Sequence, residues 1–326
     1  MRLLLSGGTG FFGRALLRFL GQANCFGNRP SRLYIISRDP SQFLRVHPEF
    51  AKFSWVEWVR GDLTTGDVDG LADPFKRFGG ITHVLHAAAE SSSRQVMSPQ
   101  TQFDHIIQGT RTMLGLAIKL GSPRFLFTSS GAVYGQRVSE MAPVSESELG
   151  AIDPSDPKSG YSLAKLASEH LCALARNEHG LPVIVCRPFT FSGPDLPLDV
   201  HFAVGNFVRD ALFSRRISLS GDGSPVRSYL DQNDLAEWLM TLLVDGQPGQ
   251  TYNIGSDSPI SIYDLAHLVR DLVSPAKKVA VLARQIGEAP RQFYVPDTSK
   301  VRGELGLLQR ISLEESILRM AHAHRL

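Results

Sequence analysis

Tyr161 and Lys165 are the residues whose types and spacing most directly indicate chemistry. They stand four positions apart in the run Tyr-Ser-Leu-Ala-Lys, and on a helix that spacing places two side chains on one face. A tyrosine hydroxyl ordinarily ionises at about pH 10, and a nearby ammonium group favours the phenolate. The pair can therefore act as a general acid and base, taking a proton from a hydroxyl group while a hydride leaves the same carbon.

A second candidate group stands at the end of a short apolar run. Residues 125 to 129 read as a strand that ends in two hydroxyl side chains, Ser129 and Ser130. A hydroxyl at such a strand end can donate a hydrogen bond to a carbonyl oxygen and polarise the carbon on which Tyr161 acts.

The first strand is followed by a glycine-rich loop. Gly7, Gly10 and Gly13 follow the apolar strand Arg2 to Ser6 and open a predicted helix from Phe11 to Leu20. Glycine suits the tight turn, the close approach of a pyrophosphate and the packing of helix on strand, while the helix start presents N–H groups to the phosphates. This position in the chain predicts a dinucleotide-binding loop.

The second predicted strand ends Ile-Ile-Ser37-Arg38. An acid at this strand end suits the adenosine ribose of NAD, whereas an arginine suits the 2′-phosphate of NADP. We therefore predict a preference for NADP, although Asp39 is close enough to leave NAD open. Asp62 follows a further predicted strand and lies either near the adenine or in a simple turn.

Apolar runs alternate with helical periods through the first half of the chain. Strands are predicted at 2–6, 33–37, 83–87, 125–129 and 183–186, and helices at 11–20, 102–120 and 161–178. This alternation predicts an α/β fold with a doubly wound parallel sheet of the Rossmann type. The strands are apolar throughout, as expected when helices cover both faces.

The pattern loosens after Arg187, where prolines divide the chain into turns. Further helices are predicted at 234–244, 261–273 and 313–322, with a short strand at 251–254. We expect residues 1–188, together with about 229–258, to form the dinucleotide-binding domain. Residues 189–228 and 259–326 are expected to form a smaller α+β lobe for the substrate.

Composition narrows the class of protein further. The chain has 326 residues, 43% hydrophobic, with 34 basic and 32 acidic side chains. A balance so even argues against a nucleic-acid-binding face. No membrane-spanning run or signal peptide is expected, because no apolar run is long enough. The three widely spaced cysteines predict no disulfide framework, and a cytoplasmic location is expected.

Taken together, these motifs resemble an extended short-chain dehydrogenase/reductase of the NAD(P)-dependent nucleotide-sugar epimerase/dehydratase family. The matching runs, in chain order, are GGTGFFG, GDL at 61–63, HAAA at 86–89, SSGAVYG, YSLAK, RPF at 187–189, GDGSPVRSYL at 221–230 and YNIGS at 252–256.

The resemblance implies a role for each motif. Tyr161 is the general acid/base, Lys165 holds the nicotinamide ribose and lowers the tyrosine pKa, and Ser130 polarises the carbonyl. The implied substrate contacts, around the sugar diphosphate, are Ser130, Gly131, Asn206, Arg227 and Arg291. The implied cofactor contacts are Gly7, Gly10, Phe11, Phe12, Gly13, Ser37, Arg38, Asp62, Leu63, Ala87, Ala88, Ala89, Tyr161, Lys165, Arg187 and Pro188. No metal site is expected.

The sequence departs from the family pattern where elimination chemistry would be done. The 4,6-dehydratases carry Asp-Glu directly after the Ser130 position, whereas this chain has Gly131 and Ala132. That difference favours hydride transfer at C4 of a nucleotide-diphosphate hexose, by a 4-epimerase or a 4-ketoreductase. A 4,6-dehydratase that uses another acid, such as Glu90 or Asp199, stays open, as does a non-catalytic dinucleotide-binding module.

Two further departures concern hydrogen-bonding side chains. Ile106 stands where the family's NxxGT pattern has asparagine, and Thr190 follows the Arg-Pro-Phe run. The resemblance also implies a homodimer formed through the helix of Tyr161. Ala164, Ala167 and Leu171 supply a small-residue face that suits either that dimer contact or packing on the sheet.

Overall fold

The computed structural model describes residues 1–22, 30–77, 80–88, 97–135, 142–148, 150–200, 202–282 and 292–325. The strands in this part of the chain are β1 Arg2–Ser6, β2 Arg32–Ser37, β3 Val56–Arg60, β4 His83–His86, β5 Arg124–Thr128, β6 Val183–Pro188, β7 Phe191–Ser192, β8 Arg216–Leu219, β9 Val226–Arg227, β10 Leu230–Asp231, β11 Thr251–Ile254, β12 Ile260–Ser261, β13 Lys278–Val281 and β14 Phe293–Tyr294. The helices are α1 Phe11–Gly21, α2 Pro40–Val46, α3 Val68–Ala72, α4 Pro99–Lys119, α5 Gly160–His179, α6 Ala203–Phe213, α7 Gln232–Asp245, α8 Ile262–Val273, α9 Ser299–Leu305 and α10 Leu313–Arg325.

Seven strands form the principal sheet in the order β11-β6-β5-β4-β1-β2-β3. The pairs from β6 across to β3 are parallel, so the chain crosses over the sheet between successive strands. Strand order reverses between β1 and β4, and ligands of open α/β sheets bind at the carboxyl ends of strands beside such a reversal. The predicted α/β fold with a doubly wound parallel sheet is confirmed.

Burial explains why these strands contain few polar residues. Every residue of β6 is buried, as are four of the five in β1, because side chains on both faces of the sheet are covered. One apolar cluster joins the strand residues Leu4, Val84 and Phe125 to Met113 of α4 and Cys172 of α5. The apolar face of each helix thus fixes its position against the strands that precede and follow it.

The chain divides into two compact units. The first comprises residues 1–133, 152–187 and 236–252, and it contains most of the parallel sheet. The second comprises residues 134–151, 188–235 and 253–326. The segment 134–151 therefore belongs to the second unit, whereas the sequence analysis included it in residues 1–188.

Small sheets and helices build the second unit. Its sheets pair β7 with β10, β8 with β13, and β9 with β12 and β14. Helices α6, α8 and α10 pack against one another. Helix α6 and the two-residue strands were not predicted. The strands are too short to show a readable period, and the eleven residues of α6 follow a run of turns at prolines.

Candidate functional site

The loop between β1 and α1 has the shape of a phosphate cradle. Gly7 has φ +78°, and a Cβ there would stand 2.5 Å from the Ala87 carbonyl oxygen. A Cβ on Gly13 would stand 2.2 Å from the Cα of Gly8. Neither position accepts a side chain, because real Cβ atoms do not approach other atoms so closely. Two of the three predicted glycines are thus required by the fold itself.

Gly10 differs from these two glycines because packing does not require it. A Cβ there would meet only the Gly7 carbonyl oxygen, at 3.4 Å, and the residue is exposed. Gly10 is also the N-cap of α1, and no side chain caps the N–H groups of the first turn. These groups and the positive end of the helix dipole fit a pyrophosphate, and the missing side chain lets that anion approach closely. Phe11 and Phe12 begin the helix beside it.

At the end of β2, Arg38 is an exposed side chain. The neighbouring Asp39 is the N-cap of α2, where its carboxylate accepts a hydrogen bond from the Gln42 N–H at 2.9 Å. This interaction stabilises the start of α2. It also engages Asp39, the acidic residue because of which NAD remained an alternative to NADP in the prediction from the sequence. Ser37 ends β2, and its carbonyl accepts a bond from the Gly61 N–H.

Asp62 follows β3 and forms a tight turn. Its carboxylate accepts hydrogen bonds from the Thr64 N–H at 2.9 Å and the Thr64 hydroxyl at 2.8 Å. Burial opposes ionisation, but the Thr64 bonds and the positive charge of Arg38 together hold the pKa of Asp62 below its ordinary value. The turn that the sequence analysis gave as one of two alternatives is present, and Leu63 beside it is buried.

The end of β4 contains a buried histidine. His86 Nδ1 lies 2.6 Å from the Ser6 hydroxyl, and Nε2 lies 3.3 Å from the Thr110 hydroxyl. Burial, with the nearby Lys165 charge, lowers the pKa of His86 to about 3, so the ring is neutral and structural. Ala87 and Ala88 follow His86 in the chain, and their backbone lies against Gly7. Ala89 lies outside the described residues.

Ser130 and Tyr161 are brought together by the tertiary structure. Their hydroxyl groups are hydrogen bonded, although 31 positions separate them in the chain. Burial raises the pKa of Tyr161 above its ordinary value, and the Ser130 bond acts in the opposite direction. The Lys165 ammonium was predicted to favour the phenolate, whereas in this structure burial has the larger effect on the Tyr161 pKa.

Lys165 lies one helical turn beyond Tyr161 and is 1% exposed. Its ammonium donates to the Thr128 carbonyl oxygen at 2.8 Å and lies 5.0 Å from the centre of the Phe127 ring. Burial lowers the pKa of Lys165 to about 8, against the opposing effect of Cys186, Cys172 and Glu169. The amine therefore titrates close to neutral pH, a property found often at sites of proton transfer.

Glu169 is a residue that the sequence analysis missed. Its carboxylate binds the Arg187 guanidinium through two bonds, of 3.0 and 2.7 Å, and accepts a third from the Ser129 hydroxyl at 2.5 Å. Arg187, predicted as a cofactor contact, is thus engaged by a carboxylate inside the first unit. The signal available in the sequence was the spacing, since Glu169 stands four positions after Lys165 on the same helix face.

In the second unit, Arg227 is a partly buried cation. Its guanidinium lies 5.5 Å from the centre of the Tyr294 ring and donates to the Gln292 side chain at 3.0 Å. Burial lowers its pKa, and among the described residues no carboxylate forms an ion pair with it. A guanidinium in this state suits an anion such as a phosphate.

The other predicted substrate contacts fall in different places. Asn206 lies on α6, where its side-chain oxygen accepts a bond from Arg209 at 3.2 Å. Gly131 begins a short 3-10 helix, Gly131–Tyr134, directly after Ser130, and Pro188 is buried at the end of β6. Arg291 lies outside the described residues.

Within the described ranges, no cluster of three or more His, Cys, Asp or Glu side chains has the geometry to hold a metal ion. None of the helices described here combines the length and apolar character that crossing a membrane requires.

Comparison with known proteins agrees with this architecture. Residues 3–255 match the family described as NAD dependent epimerase/dehydratase. UDP-glucuronic acid decarboxylase 6 of Arabidopsis thaliana is 29% identical over 333 residues, covering 100% of this chain and 89% of the relative. A dTDP-glucose 4,6-dehydratase of Streptomyces antibioticus is also 29% identical, covering 100% of this chain and 92% of the relative.

A solved structure shares the whole fold. The dTDP-glucose 4,6-dehydratase DesIV of Streptomyces venezuelae superposes with a TM-score of 0.81 at 25% identity, covering 100% of this chain and 97% of that one. That structure was solved with NAD bound, so it lends no support to the predicted preference for NADP.

The fold and the site together define an extended short-chain dehydrogenase/reductase. Within that class, the chain belongs to the NAD dependent epimerase/dehydratase family, whose match covers most of its length. The prediction of an enzyme of this family is confirmed.

Proposed function

We propose that this chain binds a nicotinamide dinucleotide and modifies a nucleotide-diphosphate hexose by hydride transfer at C4, as a 4-epimerase or a 4-ketoreductase. The observation that carries the proposal is the hydrogen bond between Ser130 and Tyr161, followed directly by Gly131 and Ala132. The first pair can remove a proton from a hydroxyl group and stabilise the carbonyl oxygen that results. The second pair contains no acid or base, so elimination of water has no side chain to assist it at these positions.

The cofactor is assigned to the loop between β1 and α1. Gly7, Gly10 and Gly13 would hold the pyrophosphate, because the uncapped start of α1 offers N–H groups and no side chain stands in the way. Lys165 would hold the nicotinamide ribose. When bound, a nicotinamide dinucleotide accepts or returns a hydride at the sugar carbon.

The side chains perform the proton chemistry. The Tyr161 hydroxyl would take the proton of the C4 hydroxyl, and Ser130 would donate a hydrogen bond to the C4 oxygen as its carbonyl character grows. The Arg227 guanidinium in the second unit would hold the diphosphate. Because burial raises the pKa of Tyr161, the phenolate needs a compensating positive charge, which the Lys165 ammonium one helical turn away would supply.

A second candidate reaction is decarboxylation of a nucleotide-linked uronic acid. It is favoured by the relatives named UDP-glucuronic acid decarboxylases, which match at 27–29% identity over the whole chain. Oxidation at C4 of such a sugar gives a β-keto acid, which can lose carbon dioxide without an acid at the Gly131 and Ala132 positions. The same Ser130 and Tyr161 chemistry would therefore serve it.

One experiment separates these reactions. The purified protein is incubated with UDP-glucose, UDP-glucuronic acid, dTDP-glucose and a nucleotide-linked 4-keto hexose, each with NAD or NADPH, and the products are identified by mass spectrometry and NMR. A 4-epimer keeps the mass of its substrate, whereas dehydration and decarboxylation show as loss of water and of carbon dioxide. A 4-ketoreductase acts only on the 4-keto sugar and consumes added NADPH. Absence of turnover on every sugar nucleotide, with dinucleotide still bound, would favour a non-catalytic module instead.

We also propose that the chain forms a homodimer through α5. Leu166 and Leu174 on this helix are 40% and 38% exposed, and Ala167 between them is exposed as well. Ala164, by contrast, is fully buried, and Leu171 packs against the core of the first unit. The face assigned to the dimer is therefore the one that carries the two leucines and Ala167.

A further inference from the structure

Two side chains from two other elements of the first unit converge on the Glu169 carboxylate. Ser129 directly follows β5, Glu169 lies on α5, and Arg187 lies near the end of β6. One carboxylate oxygen accepts from the Ser129 hydroxyl and the Arg187 Nε, and the other accepts from a terminal guanidinium nitrogen. The ion pair is nearly enclosed, with side chains 10% and 12% exposed.

This cluster is close in the chain to both residues of the proposed chemistry, Tyr161 on α5 and Ser130 after β5. On α5, Tyr161, Lys165 and Glu169 are spaced at four and four, so they share one face of the helix. On the other side, Ser129 immediately precedes Ser130, whose hydroxyl is bonded to Tyr161. The Glu169 carboxylate therefore ties the helix of Tyr161 to the strand end of Ser130.

We propose that Glu169 is a positioning residue: clamped by Arg187, it holds Ser129 and α5 at the separation at which Ser130 meets Tyr161. This inference rests on the proposed function of that pair. The hydrogen bonds of Glu169 go to Ser129 and Arg187 and not to Tyr161 or Ser130, so it acts through the backbone on which those two residues stand.

The geometry gives the carboxylate more than an ion-pairing role. A bidentate carboxylate–guanidinium pair has a fixed relative orientation, because two parallel bonds define a plane. The short Ser129 bond extends that rigidity to the residue beside Ser130. A displacement of about 1 Å at a reacting group lowers catalytic rates by about a hundredfold, so a clamp of this kind acts on turnover more than on binding.

The carboxylate also contributes charge to its neighbour. The groups that face Lys165 are Glu169 and Cys172 on its own helix, Cys186 on β6 and His86 on β4. Of these, Glu169 is the carboxylate, and it raises the pKa of Lys165. Replacing it with a neutral amide lowers that pKa, so the ammonium is lost at a lower pH and the alkaline limb of the activity profile moves in the same direction.

The test compares Glu169→Gln, Glu169→Asp and Ser129→Ala with a matched control. Glu49→Gln breaks the Arg18–Glu49 ion pair, which is also in the first unit, without touching the cluster. We expect Glu169→Gln to lower kcat by about tenfold or more while KM for the sugar nucleotide changes by no more than about twofold. Its alkaline limb should move to lower pH. Glu169→Asp, which retracts the carboxylate but keeps its charge, should lower kcat with a smaller movement of that limb.

Ser129→Ala keeps the Arg187–Glu169 ion pair intact. It therefore still tests the proposal if the Glu169 variants fail to fold. It should lower kcat several-fold while the protein remains folded, as its far-ultraviolet circular dichroism spectrum would report. If Glu169→Gln and Ser129→Ala fold and turn over like Glu49→Gln, the clamp is only structural and the proposal is overturned.

A readout that needs no turnover distinguishes this inference from the proposed function. Ultraviolet titration of the Tyr161 phenol, taken as the difference from Tyr161→Phe, reports its contact with Ser130. In Glu169→Gln and Ser129→Ala the midpoint should move relative to Glu49→Gln, even if wild type turned over no sugar nucleotide. An unmoved midpoint in both variants would contradict the positioning role.

Discussion

The carbonyl oxygen of Ala87 lies 2.5 Å from the point where a Cβ of Gly7 would stand. Gly7 follows β1 and Ala87 follows β4, the two adjacent strands between which strand order reverses. Two loops thus approach within a side chain's width at the place where open α/β sheets bind ligands.

Gly7→Ala should abolish dinucleotide binding. The new methyl group would press the loop away from Ala87 and would also strain a residue at φ +78°. Gly180→Ala is the matched control, because Gly180 has φ +65° but nothing within 4 Å of its Cβ position. Both variants pay the backbone strain, of about 1 kcal/mol, but only the first has the clash. Isothermal titration with NAD and NADP checks this, and equal binding by both variants would contradict it.

Arg38→Ala tests the choice of cofactor. If this exposed guanidinium binds a 2′-phosphate, the variant should lose affinity for NADP by about tenfold or more while its affinity for NAD is unchanged. The competing expectation is that Arg38 is a solvated surface cation that takes no part in cofactor binding. Dissociation constants for both dinucleotides, in wild type and variant, decide between them: an unchanged NADP-to-NAD ratio removes Arg38 from the site. Arg60→Ala, another exposed arginine of the first unit, is the control.

Tyr161→Phe should lower turnover by about a hundredfold or more while dinucleotide binding is retained. The change removes the hydroxyl that faces Ser130, while the Ser130 hydroxyl oxygen still accepts a hydrogen bond from the Ala132 N–H at 3.1 Å. Tyr263→Phe removes a hydroxyl from a side chain that is 44% exposed on α8 and should leave turnover unchanged. Steady-state kinetics on the substrate found for wild type provides the comparison, and near-normal turnover by Tyr161→Phe would remove the tyrosine from the chemistry.

His86 should make folding stability depend on pH. Its folded pKa is about 3, whereas an unfolded histidine has a pKa of about 6.5. Between these values the unfolded chain binds a proton that the folded protein does not. The free energy of unfolding should therefore fall as the pH is lowered from 6.5 toward 3, by about 1.4 kcal/mol for each pH unit.

Urea unfolding at several pH values measures that slope. His86→Asn, which keeps an acceptor or donor near Ser6 but does not titrate, should have a slope shallower by one proton. His179→Asn, at the exposed end of α5, should retain the wild-type slope. The same slope in all three proteins would mean that His86 is protonated in the folded state.

Leu166→Glu combined with Leu174→Glu should convert a dimer to a monomer. Two charges on the exposed face of α5 would have to be buried in the proposed contact, which is costly without partners. Leu308→Glu, at a 55% exposed leucine of the second unit, is the control. Sedimentation velocity gives the mass of each, and a monomeric wild type would contradict the proposal.

Several features of this protein followed from the sequence alone because they depend on neighbours along the chain. The spacing of Gly7, Gly10 and Gly13 and the four-residue step from Tyr161 to Lys165 are local properties of a turn and a helix. The order of strands and helices follows from hydrophobic period, and the predicted bounds of the long elements differ from the observed ones by a few residues.

Other features were decided by the tertiary structure. Asp39 is the N-cap of α2, and this capping role could not be predicted because the sequence analysis did not predict that helix. Burial, which no local pattern states, reverses the expected direction of the Tyr161 pKa and keeps His86 neutral. The Glu169 clamp joins residues 18 and 40 positions away in the chain, and they meet only because parallel strands bring their carboxyl ends to one edge of the sheet.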